Sequence, residues 1–407
     1  MKLAACQRFS RNQAPNDWAV EPIKKRICLE YGTNLIQQDR ISGRFPVYGS
    51  NGQVGTHDAF CVEGPGILVG RKGSVGEVHY SSTNFWPIDT VYYVRRQKGD
   101  DWDYLYYLLG YLKLGLLNAA TGVPGLTRRD AHEILGVFPP LPEQRRIAAV
   151  LRQADEAIDK AKAELEAARE LKRALLRSLF AEGLHAPEGI RHSKWMASPA
   201  HWTVKPLRRF AAISSGFTMG RDLSKHETIT IPYVTVVNVQ DGSFALADIG
   251  QCEIKKEELE TDLIRDGDIL MTEGGDRDKL GRGGMWQGQI HPCGFQNHIF
   301  RVRLDADVYL PQLFHFLIQT HQARSYFYAH AKQTSNLCTI NSRELKNWPV
   351  PIPPLHEQEK MVEILIATQA QESTCKGCVE SLQSLKSSLL HSLLTGRLRV
   401  PEGVLHD

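Results

Sequence analysis

Two long stretches of the chain carry apolar residues at alternating steps of about four and three positions. In the first stretch they are Ile147, Leu151, Ala154, Ile158, Ala161, Leu165, Ala168, Leu171, Leu175 and Leu179. In the second stretch the same positions return 214 residues later, as Met361, Leu365, Thr368, Glu372, Cys375, Val379, Leu382, Leu385, Leu389 and Leu393. This spacing predicts a helix that buries one stripe of side chains against another helix. Thr368 and Glu372 make the middle of the second stripe the less apolar one.

The two stretches belong to a repeat that needs no gap between 126–184 and 340–398. Both copies begin with Pro-Pro-Leu-x-Glu-Gln, which is Pro139, Pro140, Leu141, Glu143 and Gln144 in the first copy and Pro353, Pro354, Leu355, Glu357 and Gln358 in the second. In the first copy Pro142 can lie in the first helical turn without losing a hydrogen bond, and Glu143 suits the positive end of the helix dipole, whereas the second copy has His356 in place of Pro142. Since long amphipathic helices owe most of their stability to packing, we expect the two helices to pack against each other. The alternative is two separate surface helices on two domains.

A second, more divergent repeat precedes each predicted helix. It opens at Trp18 in the first copy and at Trp202 in the second, and the match continues to Gly32 and Gly216. Short apolar runs between turn residues predict strands, for example at 89–94, 232–239 and 296–303, and apolar stretches predict helices at 102–117 and 309–328. We therefore predict an α+β (mixed α/β) fold in which two domains alternate with two long helices. The predicted boundaries are 15–137 and 196–351 for the domains, 138–184 and 352–398 for the helices, 185–195 for a linker and 399–407 for a tail.

Composition narrows the functional classes only slightly. A net charge of +3 over 407 residues gives no general argument for nucleic-acid binding, so such an argument depends on local clusters. The one C-x-x-C motif joins Cys375 to Cys378 inside the second predicted helix, and no second cysteine pair completes a zinc site. No run of 18 apolar residues occurs, so we expect no membrane span and a cytoplasmic protein.

Two basic glycine-rich loops, 71–74 and 277–284, are the best local signals. Each brings backbone N–H groups, hydroxyls and cations together, as is typical of loops that approach a phosphodiester backbone or a guanine edge. Solvated turns are the alternative for the loops, and ordinary turn formation is the alternative for the Asn and Ser residues. The DNA-binding candidates are Arg44, Tyr48, Ser50, Asn51, Arg71, Lys72, Ser74, Arg128, Arg129, Arg221, Arg277, Lys279, Arg282, Gln296, Asn297, Lys332, Asn336 and Arg343.

Sequence motifs for catalysis are absent or weak. The chain lacks H-E-x-x-H, G-x-S-x-G, the N-P-P-Y type tetrad of amino-methyltransferases, and a dinucleotide-binding G-x-G-x-x-G between a strand and a helix. Asp248, Glu253 and Lys255 faintly resemble the D…E-x-K set of a nuclease, but Glu253 precedes a charged run typical of a helix surface. We expect no catalytic residue in this chain.

With these features the sequence resembles the specificity (S) subunits of Type I restriction–modification systems over nearly its whole length. The resemblance depends on the two Pro-Pro-Leu-x-Glu-Gln helix starts, on the Trp18 and Trp202 domain openings, and on Ser-Leu-Leu-Thr-Gly-x-Leu at 392–398. Within the first domain, the phrases at 48–52 and 70–74 are also similar to phrases of these subunits. The doubled order of these phrases makes the resemblance specific.

The resemblance implies that each domain is a target recognition domain that reads one half of a bipartite site in double-stranded DNA. It implies that the two helices pack as an antiparallel coiled coil with a pseudo-twofold internal repeat. Two methyltransferase (M) subunits would dock near the two helix starts, and the candidate docking residues are the ten Pro-Pro-Leu-x-Glu-Gln residues named above. Restriction (R) subunits would join this complex. S-adenosylmethionine, ATP and Mg²⁺ would bind those partners, with no cofactor or metal in this chain. A coiled-coil scaffold and a stand-alone DNA nuclease remain the alternatives.

Overall fold

The computed structural model describes residue 9 and residues 14–117, 125–185, 188–259, 263–275, 280–333 and 338–403. The chain divides into two compact units, and each is described here by itself. Unit 1 contains Met1–Ala163 and Lys376–Asp407, and unit 2 contains Glu164–Cys375. The borders between the units fall inside the two long helices, so each unit holds one domain and parts of both helices.

The described part of unit 1 contains three small sheets. One joins β2, β8, β5 and β6 in that order, a second joins β4, β3 and β7, and a third pairs β1 with β9. The strands are β1 (Ala19–Pro22), β2 (Ile27–Tyr31), β3 (Phe45–Gly49), β4 (Gly52–His57), β5 (Gly66–Gly70), β6 (Val78–Ser81), β7 (Trp86–Pro87), β8 (Val91–Arg96) and β9 (Leu135–Phe138). The strand predicted at 89–94 is present as β8.

Two short α-helices complete the domain of unit 1, α1 (Trp102–Leu112) and α2 (Arg128–His132). The Asp101 carboxylate caps α1 by accepting the Tyr104 N–H. The single helix predicted at 102–117 is wrong at its end, because Lys113 takes a left-handed conformation (φ 49°) that stops the α-helix. A 3₁₀ helix follows at Leu114–Leu117.

The residues described in unit 2 form five small sheets. The largest sheet has the strand order β13-β20-β16-β18. Two sheets have three strands each, in the orders β15-β14-β19 and β17-β22-β21. The last two are pairs, β12 with β23 and β10 with β11. The strands are β10 (Ile190–His192), β11 (Ala197–Pro199), β12 (Thr203–Pro206), β13 (Ala211–Ser215), β14 (Thr228–Val234), β15 (Gly250–Lys255), β16 (Ile269–Thr272), β17 (Gly274–Gly275), β18 (Gly283–Met285), β19 (Gly294–Phe295), β20 (Ile299–Leu304), β21 (Lys332–Gln333), β22 (Cys338–Thr339) and β23 (Pro349–Ile352).

Two predictions for unit 2 need correction. The β-rich run 232–239 ends as a strand at Val234, because the Asn238 side chain accepts hydrogen bonds from the backbone and side chain of Thr235 and forms a turn. The helix predicted at 309–328 is two helices, Pro311–Leu317 (α4) and His321–His330 (α5). Thr320 separates them, because its hydroxyl accepts the Ala323 N–H and caps the second. Ser342–Asn347 forms α6.

The two predicted long helices are present as α3 (Leu141–Glu182, 42 residues) and α7 (Leu355–Leu394, 40 residues). Most of the predicted stripe is buried or half-buried, but Leu171 and Leu385 are exposed to 46% and 53%. These two residues are repeat equivalents, and their assignment to the stripe is wrong. The neighbouring Lys172 and Lys386 continue the four-and-three spacing from Ala168 and Leu382 and occupy the inner positions instead.

Side-chain contacts join the two helices inside each unit. In unit 1 the Lys386 ammonium pairs with the Asp155 carboxylate. In unit 2 the Lys172 ammonium donates to Gln369 Oε1 (3.0 Å) and to Glu372 Oε2 (3.2 Å). The weakly apolar middle of the second stripe is therefore accommodated by polar contacts, and Thr368 satisfies its buried hydroxyl on the Ile364 carbonyl of its own helix. Across the described ranges, none of the helices is long and apolar enough to cross a membrane.

Candidate functional site

In unit 1 the structure brings two of the predicted loops together. The β3–β4 hairpin turns at Ser50 and Asn51, and the glycine loop after β5 lies beside this turn, so that a Cβ atom on Gly73 would stand 3.2 Å from the Ser50 hydroxyl. The Ser50 carbonyl is also within hydrogen-bonding distance of His79 Nε2 (3.2 Å). Gly73 has a left-handed backbone (φ 73°), which favours glycine at this close approach.

Two arginines of this region share one aromatic ring. The guanidinium carbon of Arg71 lies 4.8 Å from the centroid of the Tyr31 ring, and that of Arg128 lies 5.2 Å from it. Tyr92 packs edge-on against Tyr31, with the ring centroids 5.1 Å apart. Arg71 also donates to the Asp89 carbonyl (3.0 Å). Both arginines were predicted as candidates, but Tyr31 was missed, because its role depends on the pairing of β2 with β8 rather than on a local motif.

The other candidates of unit 1 are more dispersed. The Lys72 ammonium is 4.0 Å from the Asp89 carboxylate, and the Arg44 guanidinium lies over its neighbour Phe45. Arg129 is highly exposed at the side chain and pairs with Asp130 at 3.6 Å. Tyr48 is half-buried on β3, where its ring packs edge-on against Phe85, and Ser74 is half-buried in the glycine loop.

In unit 2 two candidates converge on one backbone position. Arg282 donates to the Val236 carbonyl (3.4 Å), and the Gln296 amide oxygen accepts the Val236 N–H (3.2 Å). Asn297 follows Gln296 and is half-buried. The chain after Val236 presents Val237, which is largely exposed. These residues form the part of unit 2 where predicted polar groups come together.

Arg221 is held by a carboxylate of its own domain. Its guanidinium donates to both oxygens of Glu258 at 2.6 and 3.0 Å, and these hydrogen bonds lower the pKa of Glu258. A bidentate pair of this kind is a structural contact first. The exposed Lys332 and Arg343 lie on separate elements, β21 and α6. The candidates Arg277, Lys279 and Asn336 lie outside the described residues.

The Pro-Pro-Leu-x-Glu-Gln residues at the start of α3 contact their own unit. The Trp18 indole N–H donates to Glu143 Oε2 (3.0 Å), and Arg399 donates to both oxygens of Glu143 and both of Asp17. The hydrogen bond from Arg399 lowers the pKa of Asp17. Gln144 is 2% exposed, accepts the Asp101 N–H (2.9 Å), and donates to the Pro139 carbonyl (2.9 Å). The side chains of Glu143 and Gln144 therefore fasten α3 to the domain.

The start of α7 repeats this arrangement. The Trp202 indole N–H donates to Glu357 Oε2 (3.0 Å), and His201 Nε2 lies 2.8 Å from Glu357 Oε1. Gln358 accepts the Leu310 N–H and donates to the Pro353 carbonyl. Among the ten docking candidates, Pro139, Glu143, Gln144, Pro353 and Gln358 are buried, Pro354 and Glu357 are half-buried, and Pro140, Leu141 and Leu355 are exposed. The exposed ones are the members whose surfaces a partner can reach.

The suggested nuclease set has ordinary surroundings. Glu253 lies on β15, before the 3₁₀ helix Lys256–Leu259, and accepts a hydrogen bond from the Thr228 hydroxyl (2.5 Å). The Lys255 ammonium is 3.7 Å from Glu257. Within the described ranges, no group of three or more His, Cys, Asp or Glu residues is arranged to hold a metal ion. Cys375 and Cys378 are free thiols on α7.

Comparisons with known proteins match both copies of the repeat. Residues 17–168 and 199–374 match the family described as "Type I restriction modification DNA specificity domain". The chain is 22% identical over 351 residues to the type I restriction enzyme MjaVIII specificity subunit of Methanocaldococcus jannaschii, covering 82% of this chain and 79% of that protein. It is 24% identical over 199 residues to the MjaX specificity subunit of the same organism, covering 48% of this chain but only 46% of that protein.

A solved structure has the same fold. The S subunit of a Type I restriction–modification system from M. genitalium aligns over 96% of this chain and 98% of its own, with a TM-score of 0.59 and 17% identity. At this identity the likeness concerns the fold alone.

Proposed function

This chain belongs to the Type I restriction–modification DNA specificity family, and from that premise we propose that each of its two domains reads one half of a bipartite DNA site. The observation that carries the proposal is the doubling of the whole domain-plus-helix architecture. Both copies match the family, and both fasten their helix start with the same Trp, Glu and Gln contacts. Two equivalent domains in one chain suit a target with two half-sites. The chain supplies recognition, and catalysis belongs to its partners.

We further propose that α3 and α7 pair antiparallel and set the distance between the half-sites. The contacts inside the two units support this, because they are repeat equivalents. Asp155 and Gln369 occupy the same repeat position, as do Lys172 and Lys386. The pair Lys386–Asp155 in unit 1 therefore corresponds to the pair Lys172–Gln369 in unit 2. Reciprocal pairs of this kind are expected of two antiparallel helices related by a pseudo-twofold axis.

The partners proposed for this chain are two methyltransferase subunits, with restriction subunits joining the complex. Exposed apolar side chains at repeat-equivalent positions support two copies of one partner. Leu141 and Leu355 are 37% and 42% exposed at the two helix starts, and Leu171 and Leu385 are exposed farther along the helices. An identical partner would meet the same leucines twice. S-adenosylmethionine, ATP and Mg²⁺ are proposed to bind these partner subunits.

Physical contact with DNA would combine two kinds of interaction. Lysines and arginines would neutralise phosphates, which makes affinity depend steeply on salt. Polar groups such as Gln296 and Asn51 would read base edges in the grooves. The low net charge of the chain is consistent with cations that are placed locally rather than spread over the surface.

Mapping of methylated adenines tests the proposed function. The chain is co-expressed with the methyltransferase subunit of a Type I system in a host that lacks adenine methylation, and the methylated positions are read across the genome. We expect one split motif with an unread centre. A contiguous motif, or methylation that does not depend on this chain, would contradict the proposal, and metal-dependent DNA cleavage by the purified chain would favour the nuclease alternative.

An exchange of one domain tests whether the halves are independent. Replacing 196–351 by the corresponding domain of another specificity subunit should change one half of the mapped motif and leave the other half and the gap unchanged. The same replacement at 15–137 is the matched control and should change the opposite half.

A further inference from the structure

We infer that Tyr31 is a positioning residue that holds Arg71 and Arg128 as a paired binding site for DNA phosphates on unit 1. This inference rests on the proposed function and adds a residue and a ligand chemistry to it. Tyr31 is the last residue of β2, and its ring is 49% exposed. Such exposure of one large ring is common, but this ring is bordered by two cations.

The geometry of the two arginines is specific. Both guanidinium carbons lie within the roughly 6 Å over which an aromatic face attracts a cation. The ring itself is supported from the protein side by the buried Tyr92, which packs against it edge-on. A ring fixed in this way limits the positions of both guanidinium groups. Their long side chains therefore lose less conformational freedom when they bind a ligand.

Neutralisation of the two arginines inside the protein is incomplete. Arg71 donates to a backbone carbonyl, that of Asp89, which carries no net charge. Arg128 is 3.8 Å from Glu30, but Glu30 already accepts two hydrogen bonds from Arg95 at 2.9 and 3.1 Å. Two cations beside one ring repel each other, and an anion between them relieves the repulsion.

A phosphodiester is the anion that fits this site. A guanidinium group presents N–H donors in a planar fork that matches phosphate oxygens. The glycine loop containing Lys72 and Gly73 follows Arg71 directly, and its close approach to Ser50 keeps it near the β3–β4 turn. We expect successive phosphates of one strand to meet Arg71, Arg128 and this loop. Phosphate contacts of this kind position a protein on DNA, while other groups read the bases.

The test is binding of a fluorescent DNA duplex of mixed sequence by the full chain, followed by anisotropy at several KCl concentrations. Loss of one phosphate contact lowers the slope of log Kd against log salt by about 0.9. We expect this decrease for Arg71→Ala and for Arg128→Ala. Arg152→Ala is the matched control, because it removes an exposed arginine of unit 1 that pairs with Asp103 rather than with Glu30 or Tyr31, and its slope should equal that of the wild type.

Variants of Tyr31 separate positioning from a general structural role. Tyr31→Leu should weaken binding roughly threefold to tenfold, because both cation–π contacts are lost. Tyr31→Phe keeps the ring and should bind like the wild type. In the Arg71→Ala, Arg128→Ala background, Tyr31→Leu should have no further effect. An equal loss from Tyr31→Leu in that background, or unchanged slopes for both arginine variants, would overturn the inference.

Failure of the inference can be told apart from failure of the proposed function. If the wild type binds DNA with a steep salt dependence while the arginine variants keep its slope, the site is elsewhere and the proposed function stands. If the arginine variants change the base preference of one mapped half-site without changing the slope, the arginines read bases and the phosphate assignment is wrong. Absence of salt-dependent binding by the wild type would reject both. Thermal unfolding of each variant shows whether the fold is kept.

Discussion

At the scale of single residues, buried amides decide how the long helices are attached. Gln144 and Gln358 each use both ends of the side chain, since the oxygen accepts a backbone N–H of the domain and the nitrogen donates to a proline carbonyl before the helix. Gln144 also donates to the buried Asp100 carboxylate (2.8 Å). A buried polar group that loses its partner costs more than the hydrogen bond contributes. These glutamines therefore act as structural residues.

Replacement of Gln144 by leucine tests that role. Gln144→Leu keeps the approximate volume but leaves the Asp101 N–H and the Pro139 carbonyl without their partner. We expect the free energy of unfolding to fall by about 2–4 kcal/mol. The exposed Gln38 supplies the control, because Gln38→Leu should change it by less than about 0.5 kcal/mol. Chemical denaturation of both variants measures the difference, and equal stabilities would argue against the structural role.

A buried histidine predicts how unit 2 responds to acid. Burial, with a smaller contribution from Lys172, lowers the pKa of His315 from 6.5 to about 4. Between these two values the unfolded chain binds a proton that the folded chain does not. Stability therefore rises with pH in this window and is lost as pH falls from about 6.5 towards 4, by up to about 1.4 kcal/mol per pH unit. Denaturation at several pH values should give a shallower pH dependence for His315→Gln than for the wild type.

The DNA-binding candidates were predicted from residue type, which does not show the contacts that distant residues make in the fold. Arg71 was predicted because a cation in a glycine-rich loop suits phosphates, and Arg128 was predicted from its residue type. Neither prediction required knowledge of the fold. Tyr31 was not predicted, since its partners come from distant parts of the chain, the loop after β5 and the start of α2. Arg221 was predicted as a DNA contact, but only the structure brings Glu258 to it, 37 residues farther along the chain. Long-range pairing of this kind leaves no periodic signal in the sequence.

At the scale of elements, a shift of one residue along a long helix decides whether a side chain belongs to the buried stripe or to the exposed surface. A stripe that steps by four and three continues from Ala168 to position 172, which is a lysine, whereas the apolar neighbour Leu171 points to solvent. Lys172 remains inside because its ammonium reaches Gln369 and Glu372. The helices were predictable because their pattern runs for some 40 residues. The break at Thr320 was not, because a hydroxyl cap is a local feature within an apolar run.

The exposed leucines of these helices predict a surface for partners. Leu171→Lys combined with Leu385→Lys should leave the free energy of unfolding within about 1 kcal/mol, since both side chains are already exposed. The double variant should retain less methyltransferase subunit on co-purification, because apolar contact area is replaced by charge. Leu165→Lys is the contrasting variant. Leu165 is buried, so that a lysine in its place should lower the free energy of unfolding by about 3 kcal/mol or more. Unchanged recovery of the partner with the double variant would remove these leucines from the docking surface.

At the scale of the whole molecule, the repeat extends from sequence to individual contacts. In both copies the strand that follows the opening tryptophan pairs with the strand that precedes the long helix, β1 with β9 and β12 with β23, in the same register. The copies differ where they fasten Glu143 and Glu357, since the first uses Arg399 and Asp17 and the second uses His201. The doubled order was readable from the sequence. The differing contacts were not, because Arg399 comes from the far end of the chain.

The length of the helix pair is the property that the proposed function makes measurable. Insertions after Ala163 and after Gly377 lie at repeat-equivalent positions, midway between Asp155 and Lys172 on α3 and midway between Gln369 and Lys386 on α7. Seven added residues keep the four-and-three stripe in phase, so that the packing contacts on either side can form again. They lengthen each helix by about 10 Å, which corresponds to about three base pairs at roughly 3.4 Å each. Mapping of methylated adenines should therefore show the same two half-sites with a longer gap. A matched insertion of seven residues in α3 alone disturbs the pairing and should lower stability instead. An unchanged gap in the doubly extended variant would mean that the helix pair does not set the spacing, even if both domains read DNA as proposed.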